Sequence, residues 1–148
     1  MDLYSRKIVG WSMRDDLEAP LAVDAISMAI TRRKPKPGLV HHSDRGSQRR
    51  QHTSIAMGRT LRDAGVMASM DSKGDPWDDA CAESCISTSK NELVKRRTFV
   101  TRDQARLTLF RYIESFYNPL RRHSSLAMLS PDAYEHRYLE NNAAAVTA

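Results

Sequence analysis

Two short apolar runs, "GLV" leading into "HHSD" at residues 38–44 and "VMASM" at residues 66–70, flank the segment "SIAMGRTLRDAG". Each run is shorter than a stable helix. The segment between them spaces its apolar residues helically and closes on Gly65, a good helix C-terminal residue. Strand, helix and strand in that order predict the α/β class, with ligands presented just beyond the strand ends of an open sheet. Asp44 stands directly after the first of these strands.

The flanking sequence extends the alternation. "DDLEAPLAVDAISMAITRR" predicts a helix with Pro20 in its first turn and Arg32 and Arg33 at its C-terminal end, where cations suit the helix dipole. "MDLYSRKIVGWSM" reads as a strand, or as two strand ends turning near Ser5 and Arg6. A helix is expected from Asp79 through "ACAESCISTSKNELVKRR", and Thr101 with Gln104 forms a capping box for another, "RDQARLTLFRYIESFY". Asn118 and Pro119 break the chain, "RRHSSLAMLSP" reads as a loop, and "DAYEHRYLENN" as a short last helix. The 148 residues suit one domain, residues 1–136, followed by a C-terminal tail at 137–148 that ends in the small residues "AAAVTA".

Basic residues outnumber acidic ones by 23 to 18, giving a net charge of +5, and they cluster at residues 32–36, 45–50, 95–97 and 121–122. An anionic partner such as nucleic acid fits that balance. Cys81 and Cys85 stand one helical turn apart with no second pair, which supports neither a zinc site nor a disulfide framework. No run approaches the roughly 20 apolar residues of a membrane span, and no signal-like leader opens the chain. A cytoplasmic protein without a membrane partner is expected.

Glu83, Ser87 and Lys90 share one stripe of the helix expected from Asp79, and Ala82, Cys85, Ile86, Ser89 and Leu93 form the opposite stripe, expected to be buried. A carboxylate after a strand, another on a later helix and a lysine two turns beyond suit divalent-metal phosphoryl transfer, since carboxylates are hard ligands and lysine can hold a phosphate. His41 and His42, as adjacent strand residues, point to opposite faces and are poorly placed to share an ion. One of them is expected to pack under the sheet.

Four stretches, "DLYSRKIVGW", "HHSDRGSQ", "GDPWDDACAES" with the following "K.EL", and "FYNPLRRHSSLAMLSPDAYE", occur in that order. Together they resemble the catalytic core of orfB-type insertion-sequence transposases, members of the DDE recombinase group that includes retroviral integrases. The resemblance runs from residue 2 to about residue 136. It implies an RNase H-like fold (integrase catalytic core) and a site where three acidic residues bind two divalent metals, Mg²⁺ or Mn²⁺. Those metals would activate water or a 3′-hydroxyl for attack on a DNA phosphodiester. By the resemblance Asp44 is the second aspartate and Glu83 the glutamate, both catalytic metal ligands, and Lys90 is the basic residue that follows. Arg45, Arg122 and His123 are the further residues expected to touch DNA. The implied partners are insertion-sequence ends and target DNA, together with a second copy or a full-length transposase.

Departures from the resembled pattern shape the expectation. The family's first aspartate lies upstream of "DLYSR", so the chain is expected to be N-terminally truncated, missing the first strand and most of the second. These 148 residues alone should then give little or no strand transfer. Asp2 matches the motif's own aspartate, a structural position. "RRQ", Arg49 to Gln51, resembles an insertion between Asp44 and Glu83. Asp79 stands for an asparagine, Cys85 for an aromatic, Ser89 for a leucine and Ala127 for a glycine. The alternative readings are a non-catalytic DNA-binding or transposase-interacting fragment, or a decayed remnant.

Overall fold

In the computed structural model of the chain, residues 1–14, 20–43, 51–70 and 76–146 are described. They fall into two units, residues 9–83 and residues 1–8 with 84–148, so that the division lies inside one helix.

The 9–83 unit is built on a strand, helix and strand. Helix α1, Pro20–Arg33, begins on the proline, whose fixed φ suits the first helical position and whose missing N–H would have been unpaired there. It ends on Arg32 and Arg33, and Lys34 caps it at φ 44 with its N–H on the Ile30 carbonyl at 2.8 Å. Strand β1, Val40–Ser43, leads to helix α2, Gln51–Asp63, and then to strand β2, Met67–Met70. The strands are parallel, with Val40 opposite Met67 and Ser43 opposite Met70.

Gly65 closes α2. Its φ of +69 lets its N–H reach the Arg62 carbonyl at 3.0 Å while the Val66 N–H reaches Leu61 at 2.9 Å. Leu61 and Val66, bracketing this turn, are both buried, so the turn that stops the helix also anchors β2. Helix α1 packs against α2. Gly10 lies so close to α1 that a side chain there would overlap the Ala25 carbonyl oxygen and come within 3.0 Å of the Ala29 Cβ.

The other unit carries the end of α3, Pro76–Ser89, from Ser84 onward, then a π-helical turn at Lys90–Val94, α4 at Arg102–Tyr112, a second π-helical turn at Ile113–Tyr117, a 3₁₀ turn at Ser124–Leu126, and α5 at Pro131–Val146. Thr101 caps α4 as expected. Its hydroxyl accepts from Gln104 N–H at 3.1 Å, and the Gln104 side chain returns to accept from Val100 N–H at 2.8 Å. Ser130 does the same for α5, accepting from Ala133 N–H at 3.3 Å ahead of a buried Pro131. Ile8, Leu93, Tyr112, Ile113, Tyr117 and Leu126 form the apolar core of this unit.

The α/β class holds, and two elements differ from expectation. No strand forms among residues 1–14. Instead Asp2 Oδ1 accepts from the N–H groups of Tyr4 and Ser5 at 2.9 and 3.1 Å, which bends the chain into a turn that a strand cannot contain. The last helix runs on to Val146, because alanines sustain a helix better than any other residue. No helix among the described residues is long and apolar enough to cross a membrane.

Ala127 occupies the left-handed region at φ 52, ψ 40, and Met128 follows at φ 64. A Cβ in that region is strained by roughly 1–2 kcal/mol, partly offset by the greater freedom of glycine in the unfolded chain. Ala127→Gly is therefore expected to raise stability by about 0.5–1 kcal/mol, read as a higher denaturant midpoint at unchanged slope.

Candidate functional site

Glu83, Lys90, Arg122 and His123 are described; Asp44 and Arg45, like Arg49 and Arg50 of the "RRQ" stretch, lie outside the described residues. Glu83 is exposed on α3 and forms no ion pair among the described residues. Lys90 is exposed and opens the first π-helical turn, its carbonyl accepting from Lys95 N–H at 2.9 Å. Ser87 is exposed as well, so the stripe carrying Glu83, Ser87 and Lys90 faces solvent. Among the described residues no group of three or more His, Cys, Asp or Glu could hold a metal ion. Glu83, an exposed hard-oxygen donor with no ion pair among the described residues, suits Mg²⁺ or Mn²⁺ in donor type.

The opposite stripe is a correction. Only Leu93 is buried; Cys85 and Ser89 are half-buried, and Ala82 and Ile86 are exposed. Small side chains at 85 and 89 offer little area to cover, while Leu93, in the π-helical turn that follows, is large enough to be buried. Cys81 and Cys85 are free thiols. His41 is half-buried and His42 exposed, on opposite faces of β1, and burial pushes the His41 ring below its usual pKa.

What the motifs do in the 1–8 and 84–148 unit is tie distant stretches together. Glu92, from "K.EL", accepts from Arg121 Nη2 at 2.9 Å and Nε at 3.1 Å, and from the Tyr112 hydroxyl at 2.6 Å. Asn118 of "YNPLRRH" is buried. Its Oδ1 accepts from Ile8 N–H at 3.0 Å and its Nδ2 donates to the Ile8 carbonyl at 3.1 Å, so one side chain serves Ile8 as a neighbouring strand would. Ser5, fully buried, donates to Glu135 at 2.7 Å, and Lys7 pairs with Asp132 at 2.7 Å and Glu135 at 3.3 Å. "DLYSRK", "K.EL", "YNPLRRH" and "SPDAYE" are thus fastened to one another. Nothing local in the sequence distinguishes Glu92 or Arg121, and Asn118 reads there only as a chain break.

The charges follow the contacts. Hydrogen bonding to Arg121 holds the Glu92 carboxyl below the usual range, against a smaller opposing effect of burial. Burial, then the Glu92 carboxylate, pushes the Tyr112 hydroxyl up. Since the folded pKa of Glu92 is depressed, its contribution to stability is present above the ordinary glutamate range and lost as pH falls through the folded value. Glu92→Gln is expected to flatten the fall in denaturant midpoint of wild type below about pH 4.5 without changing the slope of that fall's neutral plateau.

Arg122 is exposed and His123 half-buried beside Arg121. The His123 backbone pairs with Leu129, 3.0 Å from its N–H to the Leu129 carbonyl.

The sequence matches the family described as "Integrase core domain" over residues 1–76 and a second family of the same description over residues 64–131. It is 43% identical over 135 residues to a protein of Lactococcus lactis named transposase for insertion sequence element IS904, covering 91% of this chain and 52% of the relative. It is 40% identical over 139 residues to transposase InsF for insertion sequence IS3A of Escherichia coli, covering 94% of this chain and 47% of the relative. A like match is found to the InsF transposase for IS3 of Escherichia coli O111:H-. The chain spans about half the length of these curated relatives. No solved structure matches it. With one integrase-core match spanning residues 1–76 and a second continuing to 131, the chain belongs to the integrase core domain family.

Proposed function

We propose that the chain contributes to DNA transposition as part of an RNase H-like strand-cleaving and joining centre. Asp44 and Glu83 would hold the divalent metal, Mg²⁺ or Mn²⁺, which when bound supplies activation of water or a 3′-hydroxyl toward a phosphodiester. Lys90 would neutralise a phosphate of the bound DNA, and Arg45, Arg122 and His123 would contact its backbone. The observation that carries the reading is the combination of integrase-core similarity with an exposed Glu83 free of ion pairs among the described residues, while Asp44 directly follows the parallel strand β1 in the chain. Insertion-sequence ends, target DNA and a second copy or a full-length transposase are the proposed partners.

As a 148-residue polypeptide it supplies two of the three carboxylates that the resemblance calls for, and is proposed to be inactive by itself. Two carboxylates bind Mn²⁺ weakly, so calorimetry should show a millimolar-range site that either Asp44→Asn or Glu83→Gln removes. Purified polypeptide, incubated with Mg²⁺ or Mn²⁺ and DNA bearing the ends of its element, should give no strand transfer. Robust transfer lost on Asp44→Ala would disprove the inactivity, and Mn²⁺ binding indifferent to both substitutions would disprove the ligand assignment.

A further inference from the structure

The basic run at residues 95–97 takes no part in the site described above, yet the fold fixes where it stands. It follows directly on the π-helical turn Lys90–Val94, and its first residue closes that turn, Lys95 N–H donating to the Lys90 carbonyl at 2.9 Å. Arg97 N–H then reaches the Val94 carbonyl at 3.4 Å, so the run folds back on the end of the turn. Lys90, Lys95, Arg96 and Arg97 are all exposed, and none of them forms an ion pair among the described residues.

Residues 90–97 hold one acid, Glu92, and the fold draws it inward. Both of its carboxylate oxygens accept from Arg121, at 2.9, 3.1 and 3.2 Å, and one also accepts from the Tyr112 hydroxyl at 2.6 Å. Leu93 beside it is buried. Arg121 thus answers the acid, while Arg96 exerts the weakest of the effects on the Glu92 carboxyl. Lys90, Lys95, Arg96 and Arg97 are left at the surface of one short segment with no acid of that segment to offset them, and an anion relieves their mutual repulsion. Glu92 and Leu93 also pin the backbone from which these side chains spring. A lysine or arginine charge rides on a flexible stem, so a fixed base narrows the region it searches and lowers the ordering cost of binding.

We propose that Lys95, Arg96 and Arg97 extend from Lys90 a phosphate-binding edge along which one stretch of DNA backbone lies. The edge rests on the separation of charge above; its ligand rests on the DNA reading of the preceding subsection. Backbone phosphates are alike whatever the bases, so the edge adds affinity and position without reading sequence.

Fluorescence anisotropy tests the edge, as affinity against salt concentration for two short duplexes, one bearing an end of the element and one of unrelated sequence. The variants are the triple Lys95→Gln/Arg96→Gln/Arg97→Gln, the charge-keeping Arg96→Lys/Arg97→Lys and, as a loss of charge elsewhere, Lys34→Gln/Lys36→Gln, each checked for folding by circular dichroism. The triple variant should bind both duplexes at least about tenfold more weakly near about 0.1 M salt, with a salt slope lower by about two to three. Arg96→Lys/Arg97→Lys should stay within about threefold of wild type, and Lys34→Gln/Lys36→Gln should lower the slope by less than about one half. Duplex binding by wild type with an unchanged slope in the triple variant overturns the edge and leaves the DNA reading standing. An equal fall in slope per charge removed at residues 34 and 36 and at residues 95–97 shows that only net charge matters, and likewise overturns the edge. A loss confined to one of the two duplexes overturns the backbone as its ligand. Wild type that binds neither duplex overturns the DNA reading, and the edge with it.

Discussion

Asn118→Ala is expected to destabilise the protein by about 3–5 kcal/mol, a large part of the roughly 5–15 kcal/mol that holds a typical domain folded. The reason is local and complete. Ile8 is buried, and both its N–H and its carbonyl find their partners on the Asn118 side chain, at 3.0 and 3.1 Å. Alanine leaves two buried backbone groups unpaired, each with a desolvation penalty of about 1–3 kcal/mol. Asn118→Asp should be nearly as damaging, because it keeps the acceptor for Ile8 N–H and sets a second acceptor against the Ile8 carbonyl. Urea unfolding followed by circular dichroism measures both. A loss below about 1 kcal/mol for Asn118→Ala would mean that Ile8 is satisfied in some other way.

Gly10→Ala is expected to cost about 3 kcal/mol, at the upper end of overpacking effects. The added methyl would overlap the Ala25 carbonyl oxygen, a backbone atom of α1 that cannot move without the helix, and would crowd Ala29 N at 2.9 Å and Ala29 Cβ at 3.0 Å. Ala29→Gly removes the last of these contacts and leaves the carbonyl overlap, so it should not rescue Gly10→Ala. Rescue to near wild-type stability would show that the Ala29 side chain, rather than the helix backbone, sets the limit. Gly10 is thus required for close approach, a demand that the "IVGW" stretch does not announce.

The readable part of the fold is the part with local punctuation. Pro20 starts α1, Gly65 ends α2, and Thr101 with Gln104 starts α4, because each acts through its own φ or through a hydrogen bond within four residues. The alternation of short apolar runs with helical spacing likewise gave β1, α2 and β2. The failures differ in cause. Residues 1–8 look like a strand by composition, yet their hydrogen bonds go to Asp2 and to side chains 110 to 130 residues away, so the partner decides the conformation. The stripe around Cys85 fails because Cys85 and Ser89 are small side chains that bury little area, and only Leu93 is buried.

The candidate site divides in the same way. Asp44, Glu83 and Lys90 are proposed from residue type, spacing and family resemblance, all of which a sequence carries. Glu92, Asn118 and Arg121 are not, since their chemistry consists of meeting residues from another motif. The sequence by itself determined the α/β class, the helix ends marked by Pro20, Gly65 and Thr101, and the family, because those depend on local backbone preference and on motif identity. Only the tertiary structure decided that "DLYSRK" folds as a tied turn, that Gly10 admits no side chain, and that Arg121 meets both Glu92 and His123. These depend on contacts across the chain, and long-range contacts leave no period in the sequence to read.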